Sequence, residues 1–214
     1  MTAPSVADAV ARALAASGVS CVFGVVGSGN FHVTNALIDT GATFIAAQHE
    51  GGAATMADAY ARVSGQLCAL SVHQGPGVSN ALTGIVEAAK SRTPMIVLAP
   101  EATTPRSNFY LDLPALAAAI GAGFRRVTAA HPVGDVEAAC RAARAGAGQT
   151  VVLGLPLDVQ AMAAGDADRI RPGSGQIAPD PAAAASDPAP DLAALDHQLA
   201  PLLDLLHAAE RPVF

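Results

Sequence analysis

The most chemically pointed stretch of the chain is Gln48-His49-Glu50-Gly51-Gly52-Ala53-Ala54-Thr55-Met56-Ala57-Asp58-Ala59-Tyr60-Ala61-Arg62. It follows a strand-like run at 42–46, so Glu50 sits where a strand hands over to a helix. A carboxylate followed by glycines and alanines offers one strong hydrogen-bonding group in apolar surroundings. The small residues also let a flat molecule approach the backbone. Two further junctions share this character: Gly24-Val25-Val26-Gly27-Ser28-Gly29-Asn30 and His73-Gln74-Gly75-Pro76-Gly77-Val78-Ser79-Asn80. Histidine is the side chain suited to moving protons near neutral pH, which makes His73 a proton-transfer candidate. The alternative for His73 is a hydrogen-bonded residue at a strand end. His32, His49 and Asn80 are weaker candidates, and Asn80 reads as a residue that caps or packs its helix.

Each junction alone has other readings. Backbone N–H groups at a helix start near Ser79 could hold an anion, but no Gly-Lys-Ser/Thr follows, so the segment is not a triphosphate P-loop. Gly27-Ser28-Gly29-Asn30-Phe31-His32 supplies two of the three glycines of a dinucleotide fingerprint, with His32 in the third place. Glu50 falls about twenty residues on, where a ribose-binding acid would be expected, which keeps an NAD-dependent dehydrogenase as an alternative. A plain structural turn is another.

Strands and helices alternate along the chain. Apolar runs predict strands at Val19–Phe23, Ala42–Ala46, Leu67–Val72, Met95–Ala99, Phe124–Thr128 and Thr150–Leu155. Between them, helical patterns occupy Ser5–Ser17, Phe31–Thr40, Gly51–Val63, Ser79–Ser91, Leu113–Ile120 and Val133–Ala147. Continuous apolar strands such as Met95-Ile96-Val97-Leu98 suit a sheet buried on both faces. The expected fold class is α/β, a three-layer sandwich around a six-stranded, mainly parallel sheet, with functional residues at the carboxyl edge of its strands. Residues 1–163 form this domain. From 164 to 190 the composition shifts to Ala, Pro, Gly, Asp and Ser, which predicts a linker. A helical pattern resumes at 191–209, and 191–214 reads as the start of a truncated further domain.

The 214 residues carry a net charge of −6, with 51% hydrophobic and 14% charged side chains. With no basic stripe, a nucleic-acid binder is excluded as an expectation. No apolar stretch is long enough to span a bilayer, and the N-terminus lacks the pattern of a secretion signal. Cys21, Cys68 and Cys140 are odd in number, widely spaced and set among apolar residues. They read as reduced core residues of a cytoplasmic protein, without metal or redox spacing.

Taken in order, Val22 to Asn30, His49 to Arg62 and Gly75-Pro76-Gly77-Val78-Ser79-Asn80 resemble the N-terminal pyrimidine-binding domain of thiamine diphosphate-dependent enzymes. The likeness is nearest to the group of acetolactate synthase and benzoylformate decarboxylase. It continues through Ala88-Ala89-Lys90-Ser91-Arg92-Thr93-Pro94-Met95 and Val151 to Val159, covering about Val6 to Val159. The resemblance implies thiamine diphosphate as cofactor, with Glu50 as the carboxyl that shares a proton with ring N1′ so that the cofactor's 4′-amino group can take the proton from C2. It also implies that Gly27, Gly75, Pro76 and Asn80 line the pyrimidine pocket. Ser28 and His73 fall where some decarboxylases of the group carry a Ser and a His that handle substrate and protons.

The implied function is the cofactor-binding domain of a 2-oxoacid decarboxylase, lyase or carboligase. Its partners would be a small 2-oxoacid and a second subunit supplying the diphosphate-binding domain, in a homodimer or tetramer. The Ala-rich helix 53–61 fits a tight subunit contact of that kind. Alternatives are a separate subunit of a two-chain decarboxylase, or a binding domain inactive alone. Three departures stand out. Val26 occupies a place where the family commonly has Pro. Phe109-Tyr110 stands where acetolactate synthases usually carry Phe-Gln. The Gly-Asp-Gly…Asn motif that holds Mg2+ and the diphosphate is missing, so Mg2+ would come only through a domain absent from this chain.

Overall fold

The computed structural model describes residues 4–164. Apart from its first residue, the expected linker at 164–190 lies outside the described residues, as does the expected further domain at 191–214.

Six strands form one sheet: β1 (Cys21–Gly24), β2 (Thr43–Ala46), β3 (Cys68–Ser71), β4 (Met95–Glu101), β5 (Gly123–Arg126) and β6 (Thr150–Pro156). Their order is β2-β1-β3-β4-β6-β5, and every pairing is parallel. The "mainly parallel" sheet is therefore wholly parallel, as strict strand–helix alternation favours. Seven helices join the strands: α1 (Val6–Ala16), α2 (Phe31–Asp39), α3 (Glu50–Ser64), α4 (Pro76–Lys90), α5 (Leu113–Ile120), α6 (Pro132–Arg144) and the four-residue α7 (Leu157–Gln160). The alternation of strand side chains divides the core in two. Val22, Ala69, Ile96, Leu98, Val151 and Leu153 pack under α1, α2 and α6. Cys21, Phe23, Cys68, Leu70, Met95 and Val97 pack under α3, α4 and α5. This is the three-layer sandwich.

Differences from the sequence reading lie at element ends. Helix α3 begins at Glu50 itself, because His49 acts as N-cap and its ring accepts from the Gly51 N–H at 3.0 Å. Helix α4 begins at Pro76, three residues before the expected Ser79, since proline is favoured in a first turn, where its missing N–H costs nothing. Helix α7 was not expected; four residues are too few for a periodicity to emerge. Its chain continuation is tied to the other end of the domain, with the Val6 N–H donating to Met162 O at 2.8 Å and the Ala164 N–H to Pro4 O at 2.9 Å.

One expectation is corrected. Of the five alanines of helix 53–61, only Ala59 faces outward. Ala53, Ala54, Ala57 and Ala61 are buried inside the chain itself, against the sheet and α4. Along the seam, Gly84 approaches so closely that an added Cβ would lie 2.5 Å from the Ala54 Cβ. Small residues here bring two helices together within one domain, and Asp58 closes the seam, bonded to the Thr93 hydroxyl at 2.6 Å and to Arg62 at 2.8 Å.

The three cysteines are free and buried. Burial pushes all three thiols upward, Cys68 to about 12. No helix of the described residues is long and apolar enough to cross a membrane.

Gly84→Ala is expected to destabilise the domain by about 1–3 kcal/mol through overpacking, read as a lowered thermal midpoint. Gly52→Ala is its control, because an added Cβ there meets nothing within 4 Å and should leave the midpoint unchanged or raised. Burial disfavours the thiolates and keeps the cysteines protonated at pH 8, so a thiolate-specific reagent should label none of the three until the chain is unfolded.

Candidate functional site

In a parallel sheet all strands end on the same edge, and a crevice opens where successive connections leave in opposite directions. Here β1 leads into α2 on one face, while its neighbour β3 leads into α4 on the other. The 25–30 loop, His49–Glu50 and the 72–76 turn therefore meet at one end of the sheet. All three junctions singled out in the sequence are brought together.

The centre of the arrangement is Gly77. A Cβ placed on it would lie 3.0 Å from the Cβ of His73 and 3.4 Å from Glu50 Oε1. Glu50 is half-buried, stands in the first turn of α3, and accepts a 3.1 Å hydrogen bond at Oε2 from the Asn80 side-chain amide. A carboxylate at a helix N-terminus is also favoured by the helix dipole. Asn80 thus neither caps nor packs its helix; it reaches from the second turn of α4 to α3. Among the described residues no donor reaches Glu50 Oε1, which leaves that oxygen for a further partner beside Gly77.

His73 is held on three sides. Its Nδ1 accepts from the Gly29 N–H at 3.2 Å, which places the ring proton on Nε2 in the neutral form. A Cβ on Gly27 would lie 2.7 Å from that ring. Phe109 meets it edge-on, with ring centroids 5.5 Å apart. Gly75 has φ +61°, and a Cβ there would come within 2.9 Å of the Phe109 Cα. Backbone conformation and close approach therefore both demand glycine at that turn. Ser28 is exposed in the same loop, and its hydroxyl makes no hydrogen bond within the described residues. His32 is exposed on α2, edge-on to Phe31, and His49 is spent as the α3 cap.

Several residues that build the site escaped the sequence reading. Asn30, fully buried, accepts from the Gly27 N–H at 2.7 Å and donates to Val25 O at 3.1 Å and to the Ser71 hydroxyl at 2.9 Å. It folds the 25–30 loop on itself, so the loop with exposed Val26 is shaped by an amide rather than by a proline ring. Thr34 and Ser71 share a further 2.8 Å bond beneath it. Gln74 and Gln160 are buried against Gly29, the first against its Cα and the second donating to its carbonyl at 3.1 Å. An asparagine closing a glycine-rich loop is a readable signal; a glutamine arriving from 131 residues away is not.

Chemically, the site combines a carboxylate with one open oxygen, a neutral imidazole, an unengaged hydroxyl and glycines that keep the floor low. That set fits a flat nitrogen heterocycle able to share a proton with a carboxyl. The aminopyrimidine of thiamine diphosphate is such a group.

Comparison with known proteins agrees in kind. The chain is 38% identical over 97 residues to a sulfoacetaldehyde acetyltransferase of Castellaniella defragrans, covering 45% of this chain and 16% of that one. It is 38% identical over 115 residues to a putative acetolactate synthase large subunit of Mycobacterium tuberculosis, covering 51% and 22%. It is 40% identical over 91 residues to a probable 2-ketoarginine decarboxylase of Pseudomonas aeruginosa, covering 42% and 16%. The matched segments thus span less than a quarter of these relatives' lengths. Residues 4–119, more than half of the chain, match the thiamine pyrophosphate enzyme N-terminal binding domain, and the chain belongs to that family.

Proposed function

We propose that this domain serves a thiamine diphosphate-dependent 2-oxoacid decarboxylase, lyase or carboligase of the acetolactate synthase kind, with Glu50 activating the aminopyrimidine. The observation that carries this reading is the position of Glu50. One carboxyl oxygen is fixed by Asn80 and the other lies against Gly77 of the Gly-Pro-Gly turn, open to a partner. The cofactor, when bound, supplies a carbon nucleophile that adds to the carbonyl of a 2-oxoacid or a related substrate.

The chain's own residues do the rest. Glu50 holds a proton at the ring nitrogen of the pyrimidine, in a place made drier once a ligand covers it. Gly27, Gly75 and Pro76 would line the pyrimidine, and Asn80 keeps the carboxyl aimed. His73, with its proton on Nε2, and Ser28, with a free hydroxyl, are the groups available to orient the substrate and to pass protons to it. Phe109, seated on His73, takes the place beside them where the acetolactate synthase pattern would put its Phe-Gln pair.

The diphosphate and Mg2+ are assigned to a diphosphate-binding domain on a second subunit of a homodimer or tetramer. The family assignment and the half-exposed position of Glu50 support this, because a carboxyl that must work out of water needs a cover. Alone, this domain would then bind without turning over substrate.

In the assembled holoenzyme, Glu50→Gln is expected to lower kcat by about 10²–10⁴ while the protein still folds and binds substrate; unimpaired turnover would overturn the assignment. Ser28→Ala is expected to lower kcat/KM for the 2-oxoacid by about tenfold or more with no change in thermal midpoint, since its hydroxyl supports no bond in the fold. Equal activity of wild type and Ser28→Ala would remove Ser28 from the substrate site.

A further inference from the structure

Gln160 lies at the end of α7, far from the crevice in sequence, and is 3% exposed. Its amide nitrogen donates to two carbonyls, Gly29 O at 3.1 Å and Leu155 O at 3.2 Å. Its amide oxygen is buried and has no partner among the described residues. Leaving such an acceptor bare costs about 1–3 kcal/mol, and a methionine of the same length would fill the same space without that cost. The glutamine must be doing something an apolar side chain cannot. What it alone supplies is a donor that ties the Gly29 carbonyl to the Leu155 carbonyl at the end of β6.

The Gly29 peptide is the hinge of the site. Its N–H donates to His73 Nδ1 at 3.2 Å, and its Cα lies against Gln74, whose amide oxygen would be only 1.5 Å from an added Cβ. The N–H belongs to the Ser28–Gly29 peptide and the carbonyl to the Gly29–Asn30 peptide; the two planes meet at the Gly29 Cα, about which a glycine turns easily when neither is held. Release of the carbonyl would let Gly29 change φ and ψ, withdraw its N–H from Nδ1 and remove the reason for the ring proton to sit on Nε2. Gln160 is in turn well placed to resist rotation. Its helix is anchored through the Val6–Met162 and Ala164–Pro4 backbone bonds, and Val159 packs on the core beneath α1.

We propose that Gln160 is a positioning residue: by gripping the Gly29 carbonyl it holds the 25–30 loop so that Gly29 N–H fixes the Nε2-protonated tautomer of His73. The meaning of this grip for catalysis rests on the thiamine reading above, but the grip itself can be tested without any cofactor. The 214-residue chain, labelled with 15N, would be followed by the ring 15N–1H correlations of His73 and the exchange rate of the Gly29 amide. Gln160→Met should raise Gly29 exchange by about tenfold or more and bring in the Nδ1-protonated tautomer of His73. Gln160→Glu, which keeps the shape but loses the donor, should do the same, and it serves if the methionine variant does not fold. Val136→Ala, a remote core truncation on α6, provides a matched loss of stability that should move neither signal. The proposal is overturned if a folded Gln160 variant leaves both signals unchanged, or if Val136→Ala moves them equally. Loss of the grip together with normal holoenzyme turnover would instead count against the role of His73 and leave the positioning inference standing.

Discussion

How closely α3 approaches α4 is the constraint on which the site depends. Both helices run away from the same edge of the sheet, side by side, and they touch through residues with almost no side chain. Gly84 meets Ala54, and nearer the crevice, at the start of both helices, Gly77 meets Glu50. With any larger residue at either glycine the helices would separate, and the carboxyl would no longer lie over the Gly-Pro-Gly turn. The Asp58 bonds to Thr93 and Arg62 lock the far end of the same seam. Packing of the ordinary core kind thus sets the position of a chemical group to within a few tenths of an ångström.

The second layer of order is a chain of hydrogen bonds through the 25–30 loop. Ser71, at the end of β3, holds Asn30; Asn30 holds the Gly27 peptide; and the Gly29 peptide reaches His73. Two of these three links join a side chain to a backbone group, an economical way to fix a loop without giving it a core of its own. The imidazole that results has a defined tautomer in its neutral form and is wedged between glycines and the edge of Phe109. A ring so held presents one N–H in one direction.

Glu50 stands where two helices meet, in a chain that belongs to the thiamine pyrophosphate enzyme family. In the described residues Glu50 pairs with no cation, and only the Asn80 amide and the start of α3 compensate it. By contrast Glu101, 5% exposed, is matched by Arg126 in a two-pronged pair. Glu101 is matched by a cation, whereas the carboxylate at the crevice is left with an oxygen unspent.

The sequence by itself determined the fold class, the alternation of elements and the three junctions, because each rests on local periodicity or on turn chemistry that acts within a few residues. It also singled out Glu50, through the oddity of a carboxylate ahead of glycines and alanines. It misplaced the alanines of α3, since composition tells that a face is close-packed but not against what. Only the tertiary structure decided that Glu50 and His73 meet at Gly77, that Asn80 serves Glu50 rather than its own helix, and that Gln160 reaches Gly29. The last two contacts join residues 30 and 131 positions apart, and long-range pairs are set by the order and spacing of strands in the sheet, which no local pattern in a single chain encodes.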